Sequence, residues 1–170
     1  MKASPRIAAV LALCVALGVA GCGDDDDDDS ASSSTTDTQQ TANVDTSKKP
    51  KVEVPEGEPP AGLKIEDLKV GDGATARTGD SVSVQYVGVA YSTGKQFDAS
   101  WDTPGQQPLP FTIGAGDVIA GWDQGVAGMK VGGRRELTIP PELAYGERGY
   151  PPDIAPNETL IFVIDLLDVG

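Results

Sequence analysis

The 170-residue sequence contains no histidine and only two cysteines. Without histidine, the commonest general base, the commonest zinc ligand and every Ser-His or Cys-His nucleophile are absent. Cys14 lies inside an apolar N-terminal run, so its removal with that run would leave Cys22 without a disulfide partner. Most mechanisms of enzymatic hydrolysis therefore lack a residue that they need. We predict a protein that uses no metal and no cofactor.

Basic and aromatic residues are also scarce. Thirteen Lys and Arg stand against twenty-six Asp and Glu, which gives a formal net charge of −13. A chain this acidic lacks the excess of basic residues that contacts the phosphates of nucleic acid, so we expect no nucleic-acid partner. All nine aromatic residues lie at or after Tyr86. Because aromatic side chains usually form much of a core, the first sixty residues are not expected to be a domain.

The N-terminus has the pattern of a secretion signal. Lys2 and Arg6 flank an apolar run over residues 7–21 that is too short for a comfortable membrane span. The run ends in VAGC, which resembles the lipobox of bacterial lipoproteins, where the signal is cut before a cysteine that is then acylated. The resemblance implies a signal peptide at 1–21, a lipid on Cys22 and an extracytoplasmic location, anchored to the bacterial cell membrane. An ordinary signal peptide with an incidental cysteine is the alternative.

Residues 22–60 have the composition of a tether. Six consecutive aspartates at 24–29 precede the Ser/Thr-rich SASSSTTDTQQT and the Pro/Glu-rich KKPKVEVPEGEPP. Like charges repel and no apolar face is available for burial, so this segment is predicted to be disordered. A coil of this length reaches roughly 35 Å. Calcium binding by the aspartates is the alternative, although ligands on a floppy chain form no fixed cage.

From residue 63 onward, short alternating runs separated by turn signals predict an antiparallel sheet. The runs are LKIEDL, SVSVQYVGVAY, LPFTI, RRELTIP and TLIFVIDLLDV. Residues 117–127 have apolar side chains at near-helical spacing, and Asp117 is a candidate N-cap. Gly121 and Gly125 each cost about 1 kcal/mol relative to alanine, so this helix must be short and held by packing. The prediction is an α+β domain over residues 61–170, a sheet wrapped over one helix.

The segment GAGDVIAGWDQGVAGMKVGG, at 114–133, is rich enough in glycine to suggest phosphate binding. The GxGxxG pattern fails because Ile119 replaces the third glycine, and the GxxxxGK[ST] pattern fails because Trp122 and Asp123 follow Gly121. A carboxylate at that position would repel phosphate. Nucleotide binding is therefore not expected.

The same segment resembles the central motif of the FKBP-type peptidyl-prolyl cis-trans isomerases. The matching blocks are VQYVG, GKQFDAS, VIAGWDQGVAGMKVGGRRELTIPPELAYGERG and TLIFVIDLL, in order, and the resemblance covers residues 63–170. It implies a half-barrel antiparallel sheet of five to six strands around one short helix, with an apolar cleft between them. Rotation about an X-Pro amide needs no nucleophile, so the missing histidine removes nothing that this reaction requires.

The resemblance also implies the site residues. Trp122 would form the floor under a proline ring, the N–H of Ile119 and the hydroxyl of Tyr145 would hold substrate carbonyls, and Asp98 would bond Tyr86 or polarise the amide environment. The implied catalytic residues are Asp98, Tyr145 and Tyr86, and the implied substrate-binding residues are Phe97, Leu109, Val118, Ile119, Trp122, Ile154 and Phe162. Several of these would equally be core residues in any sheet-on-helix fold, and Asp98 could make a purely structural hydrogen bond.

We predict an isomerase that acts as a monomer on proline-containing unfolded or exported polypeptides, with macrolides as further ligands. Leu109 stands where many members have phenylalanine, and the loop SWDTPGQQP is slightly longer than in minimal members. These departures bear on macrolide affinity and peptide preference. The alternatives are a non-catalytic module or chaperone that docks proline-containing segments in the same cleft, and a lipoprotein whose domain is only a spacer.

Overall fold

The computed structural model describes residues 44–170, which form six β-strands and one α-helix. The elements are β1 Lys64–Lys69, β2 Ser81–Ala90, β3 Gln96–Ala99, β4 Leu109–Thr112, α1 Ala120–Val126, β5 Arg134–Ile139 and β6 Leu160–Val169. The predicted α+β class, with an antiparallel sheet of five to six strands and one short helix, is confirmed. The predicted signal peptide, Cys22 and the aspartate run lie outside the described residues.

The strands form one antiparallel sheet in the order β1-β5-β6-β2-β3, and β4 also pairs with β2. The outer edge of β2 is therefore shared. Its residues 81–84 pair with β4, and its residues 87–89 pair with β3. Gln85 and Tyr86 lie between these two pairings and have no strand partner on that edge. The side chain of Ser100 fills the gap, because its Oγ accepts a hydrogen bond from the Tyr86 N–H at 2.8 Å.

Helix α1 packs closely against β5 because two of its residues have no side chain. A Cβ added to Gly121 would lie less than 3.0 Å from Ile139, and one added to Gly125 less than 3.0 Å from Leu137. Arg135 of β5 donates from Nη1 to the carbonyl oxygens of Gly125 at 2.7 Å and Ala127 at 3.2 Å, which satisfies acceptors at the end of the helix. The missing side chains therefore let the helix backbone lie close to the sheet.

The predicted start of the helix was wrong. The N-cap is Ile119, which has extended backbone angles and no side-chain cap hydrogen bond, and the helix begins at Ala120. Asp117 instead accepts a hydrogen bond at Oδ2 from the Thr112 N–H, at 3.2 Å. Since the chain is still extended at Ile119, the side chains of Val118 and Ile119 reach the cleft before the helix starts.

Apolar side chains form separate clusters on the two faces of the sheet. The larger cluster lies on the helix face and includes Trp122, Phe111, Phe162, Leu137 and Ile139. Alternation along β2 and β6 sends other side chains to the opposite face, where they form a second cluster of Val87, Val89, Ala99 and Ile161.

Residues 48–59, which we name the N-terminal strap, contact the second cluster. Val52 and Val54 are half-buried against it, whereas Lys51 and Glu53 between and beside them are exposed. The carbonyl of Lys48 accepts a hydrogen bond from Arg134 Nη2 at 2.8 Å, and the Lys49 ammonium lies 2.7 Å from Asp102. This packing differs from the disordered tether that we predicted through residue 60, because two alternating valines supply an apolar face.

Candidate functional site

A cleft of about 370 Å³ opens between α1 and the sheet. Nine of the ten predicted catalytic and substrate-binding residues line it, and one residue, Asp117, lines it without having been predicted as a site residue. The lining residues are Tyr86, Phe97, Asp98, Leu109, Asp117, Val118, Ile119, Trp122, Tyr145 and Phe162. They come from β2, β3, β4, the segment before α1, α1, the loop after β5, and β6. Residues that are far apart in the chain are therefore brought into one concave surface.

The floor of the cleft is an aromatic cluster centred on Trp122, which is 3% exposed. Its ring centroid lies 5.0 Å from that of Tyr86 and 5.2 Å from that of Phe162, both in edge-on geometry. Phe97 contacts Phe162 edge-on at 5.5 Å. Edge-to-face packing at these distances is favourable and fixes the orientation of each ring. The floor is therefore rigid and apolar.

Gly88 makes room for this cluster. It lies in β2 opposite Phe162 of β6 and Asp98 of β3. A Cβ at this position would lie 2.7 Å from ring atoms of both Phe162 and Phe97. The absence of a side chain on Gly88 therefore lets the two phenylalanines meet at the cleft wall.

Tyr86 and Asp98 form the polar part of one wall. The Tyr86 hydroxyl donates to Asp98 Oδ2 at 2.6 Å, a length typical of a charge-assisted hydrogen bond. Burial raises the pKa of Tyr86 well above its ordinary value, and the hydrogen bond to Asp98 raises it further. The phenol therefore remains a donor at neutral pH. It occupies one oxygen of Asp98 and holds that carboxylate at the cleft.

Tyr145 lies at the rim of the cleft and is 38% exposed. Burial raises its pKa above the ordinary tyrosine value, and the carboxylate of Asp98 adds to the effect. Its ring contacts that of Tyr150 at 5.7 Å, and Tyr150 is 62% exposed. A protonated hydroxyl at this position is accessible to a substrate carbonyl.

Ile154 is the one predicted substrate-binding residue that does not line the cleft. Its side chain is 3% exposed and belongs to the core cluster on the helix face. Its backbone exchanges two hydrogen bonds of 2.9 Å with Tyr150, which closes the loop between these residues. Burial of an apolar side chain looks the same in sequence whether it faces a core or a cleft.

Within residues 44–170, no group of three or more Cys, Asp or Glu lies close enough together to hold a metal ion. No helix in this part of the chain is long and apolar enough to cross a membrane. The cleft contributes apolar surface, two carboxylates and two phenolic hydroxyls, and none of the residues that line it is basic.

The comparisons with known proteins identify the family to which this chain belongs. A family model described as FKBP-type peptidyl-prolyl cis-trans isomerase matches residues 73–167. The chain is similar to an FK506-binding protein of Streptomyces anulatus, with 63% identity over 123 residues that cover 72% of this chain and 98% of the relative. A probable FK506-binding protein of Corynebacterium glutamicum is 49% identical over 120 residues, with 71% and 98% covered.

The solved structures give the same result. The crystal structure of AtFKBP13 matches with a TM-score of 0.59 and 41% sequence identity, and the match covers 66% of this chain and 96% of that one. The chain therefore belongs to the FKBP-type peptidyl-prolyl cis-trans isomerase family, and its enzymatic class is that of a peptidyl-prolyl cis-trans isomerase.

Proposed function

We propose that this protein accelerates the rotation of X-Pro bonds in exported polypeptides, and that the cleft around Trp122 is where it does so. The observation that carries the proposal is the rigid aromatic floor beside the Tyr86–Asp98 hydrogen bond. The uncatalysed barrier for such bonds is about 18–20 kcal/mol, because the twisted amide loses its conjugation. Only interactions that favour the twisted amide over the planar one lower this barrier.

Desolvation is the first contribution that the cleft offers. A planar amide is more polar than a twisted one, so transfer from water to an apolar surface favours the twisted form. The rings of Trp122, Phe97 and Phe162 provide that surface and have a shape that accepts the flat proline ring. Polar groups at the rim act on the other part of the substrate. The hydroxyl of Tyr145 and the N–H of Ile119 hold its carbonyl oxygens, and Asp98 is kept in place by Tyr86.

The direct test is the rate of cis-to-trans rotation in a short X-Pro peptide with and without the purified full chain. We expect acceleration that saturates with peptide concentration. A folded sample that leaves the rate at its value in buffer contradicts the proposal.

Two substitutions test the polar groups. Asp98→Ala leaves the Tyr86 hydroxyl without its acceptor, and Tyr145→Phe removes a rim donor. Each should lower kcat/KM by about tenfold or more, since a lost hydrogen bond to a charged or reacting group costs about 1.5–3 kcal/mol. Unfolding midpoints serve as the control, because Asp98 is exposed and Tyr145 lies at the rim of the cleft, so the fold should survive. Unchanged rates in both variants would leave the aromatic floor as the whole catalyst.

We also propose that the cleft binds macrolides such as FK506, because the relatives from Streptomyces and Corynebacterium are named for that ligand. A macrolide that fills the cleft should inhibit the isomerase competitively. Leu109 replaces a larger ring in the wall, so we expect weaker inhibition of the natural protein than of a Leu109→Phe variant. Equal inhibition of both proteins would show that Leu109 does not set macrolide affinity.

The location is a separate proposal. The positive start, the apolar run and the VAGC sequence support cleavage before Cys22 and acylation of that cysteine, which would anchor a monomeric enzyme outside the bacterial cytoplasm. Cys22→Ser should release the protein from the membrane fraction. Unchanged partition of that variant contradicts a lipid anchor on Cys22. The second candidate function, a binding module without turnover, uses the same cleft and is separated from the enzyme by the peptide assay.

A further inference from the structure

A second pocket, of about 450 Å³, adjoins the cleft and shares two lining residues with it, Tyr86 and Leu109. We propose that this loop pocket is a substrate subsite, and that it takes an apolar side chain of the polypeptide whose proline occupies the cleft. The proposal rests on the isomerase function given above. The other lining residues are Ser100, Thr103, Pro104, Gln107 and Pro108.

The loop pocket exists because the edge of the sheet is interrupted. Strand β2 changes partner from β4 to β3 at Gln85 and Tyr86, and the chain between these two partners leaves the sheet over residues 100–108. The space between this loop and the edge of β2 is the pocket. Its position beside the cleft therefore follows from the same strand, since Tyr86 belongs to both.

Hydrogen bonds hold the loop in one shape. The Gln85 side chain donates to the carbonyl of Gln106 at 2.5 Å, and Gln85 also accepts from the buried Ser100 hydroxyl. Thr103 Oγ1 donates to the Ser100 carbonyl at 2.6 Å and accepts from the Gln107 N–H at 3.1 Å. A pocket whose walls are fixed before binding loses little conformational entropy when it is filled.

The lining favours an uncharged, apolar occupant. Leu109, Pro104 and Pro108 supply apolar surface, and the hydroxyls of Ser100 and Thr103 already donate hydrogen bonds within the protein. None of the seven lining residues carries a charge. Burying an ionised side chain there would leave it without a partner, which is costly. A leucine or phenylalanine side chain meets no such penalty.

The geometry also indicates which substrate residue reaches the pocket. Two adjoining cavities of these volumes have centres roughly 9 Å apart if each is treated as a sphere, and an extended chain advances about 3.3–3.6 Å per residue. The occupant is therefore the residue two or three positions from the proline. The residue next to the proline remains within the cleft itself.

The test uses peptides that contain one Ala-Pro bond in a glycine background, with a single leucine placed at each of the three positions on either side. We expect leucine at a position two or three residues from the proline to raise kcat/KM of the full chain by about tenfold, as burial of one such side chain allows. No such position, or an equal gain from lysine at the same place at 1 M ionic strength, where the charges of the cleft are screened, overturns the proposal.

Gln107 provides matched variants because it is exposed and lies outside the cleft. Gln107→Trp should fill the pocket and abolish the leucine gain, whereas Gln107→Ala should keep it. A gain that survives in Gln107→Trp contradicts the subsite.

Independently of any variant, the leucine peptide should shift the backbone amide resonances of Thr103 and Gln107 more than the all-glycine peptide does, and equal shifts also overturn the proposal. If the protein were not an isomerase, the all-glycine peptide would show no acceleration either. That outcome is therefore distinguishable from failure of the subsite alone.

Discussion

Tyr86 connects the strand pairing, the floor of the cleft and its polar wall. Its N–H is bonded to Ser100 at the interruption in the sheet edge, its ring contacts Trp122, and its hydroxyl donates to Asp98. No other residue of the cleft has contacts of all three kinds among the described residues. Loss of the hydroxyl alone should therefore affect the site while the strand pairing remains.

Protonation of Tyr86 predicts how stability depends on pH. Its pKa is raised in the folded state, whereas an unfolded tyrosine titrates near pH 10. Below about pH 10 both states keep the proton and its full contribution to stability is present. Above that value the unfolded chain releases its proton more readily than the folded one, so the free energy of unfolding falls as pH rises.

Tyr86→Phe removes this proton and should make stability less sensitive to alkaline pH. The measurement is the denaturant midpoint of wild type and variant at pH 8 and at pH 11. We expect wild type to lose more stability than the variant between these two values. Equal losses would show that other tyrosines, such as Tyr145, account for the alkaline sensitivity.

Helix α1 is stabilised by its packing against the sheet and not by the intrinsic helix propensity of its residues. Its two buried glycines are poor helix formers, but they let the backbone approach Leu137 and Ile139 closely. Leu137 is fully buried, so it has little freedom to move away from an added methyl group.

Gly125→Ala should therefore destabilise the protein although alanine favours helices. Overpacking costs about 1–3 kcal/mol, and the gain in propensity returns about 1 kcal/mol of it. We expect a net loss of up to roughly 2 kcal/mol by denaturant unfolding. Gln124→Ala, on the exposed side of the same helix, should change stability by less than about 0.5 kcal/mol. A more stable Gly125→Ala protein would mean that the helix can shift from the sheet.

The N-terminal strap is the other element with a measurable contribution. It covers the cluster around Val87 and Ile161 and supplies the acceptor for Arg134, which is also paired with buried Asp165 at 2.6 Å. A chain that begins at residue 61 should be less stable than one that begins at residue 44, by at most roughly 3 kcal/mol, because half-burial of two valines contributes about that much and the entropy lost on ordering the strap reduces it.

A double substitution, Val52→Ser with Val54→Ser, separates packing from chain length. It should reproduce most of the loss in the longer chain. The exposed Lys49–Asp102 ion pair provides the control, since solvent screens such pairs and Lys49→Ala should change stability much less than the double substitution does. Equal stability of the two truncated chains would show that the strap covers the sheet without stabilising it.

The sequence predicts the long elements better than the short ones. Alternation identifies β2 and a long apolar run identifies β6, whereas β3 has four residues and was recognised only as part of a motif. The strap was predicted to be disordered because Pro and Glu dominate its composition, although it also contains two valines that can pack against the sheet. The cleft residues were found through the family resemblance, since periodicity alone cannot distinguish Phe162 at a cleft wall from Ile154 in the core. The loop pocket depends on where β2 changes partner, which no local pattern reports.

The whole protein is acidic, and the charged residues that line its cleft are also acidic, which affects the choice of substrate. The chain has a formal charge of −13, and Asp98 and Asp117 bring two carboxylates to the cleft with no basic residue among its lining. A concave apolar surface with charges of one sign concentrates ions of the other sign. Substrate segments with lysine or arginine near the proline should therefore associate faster than segments with acidic residues.

This preference should depend on salt. Electrostatic interactions act over about 30 Å at 0.01 M ionic strength and about 3 Å at 1 M. We compare a peptide with lysine three residues from the proline with its glutamate counterpart. At low ionic strength we expect the lysine peptide to have a kcat/KM at least roughly fivefold higher, because the two nearby carboxylates attract lysine and repel glutamate. The ratio should fall towards one at high salt, and Asp117→Asn should reduce it at low salt. A ratio that does not change with salt would mean that direct contacts, and not the field of the molecule, select the substrate.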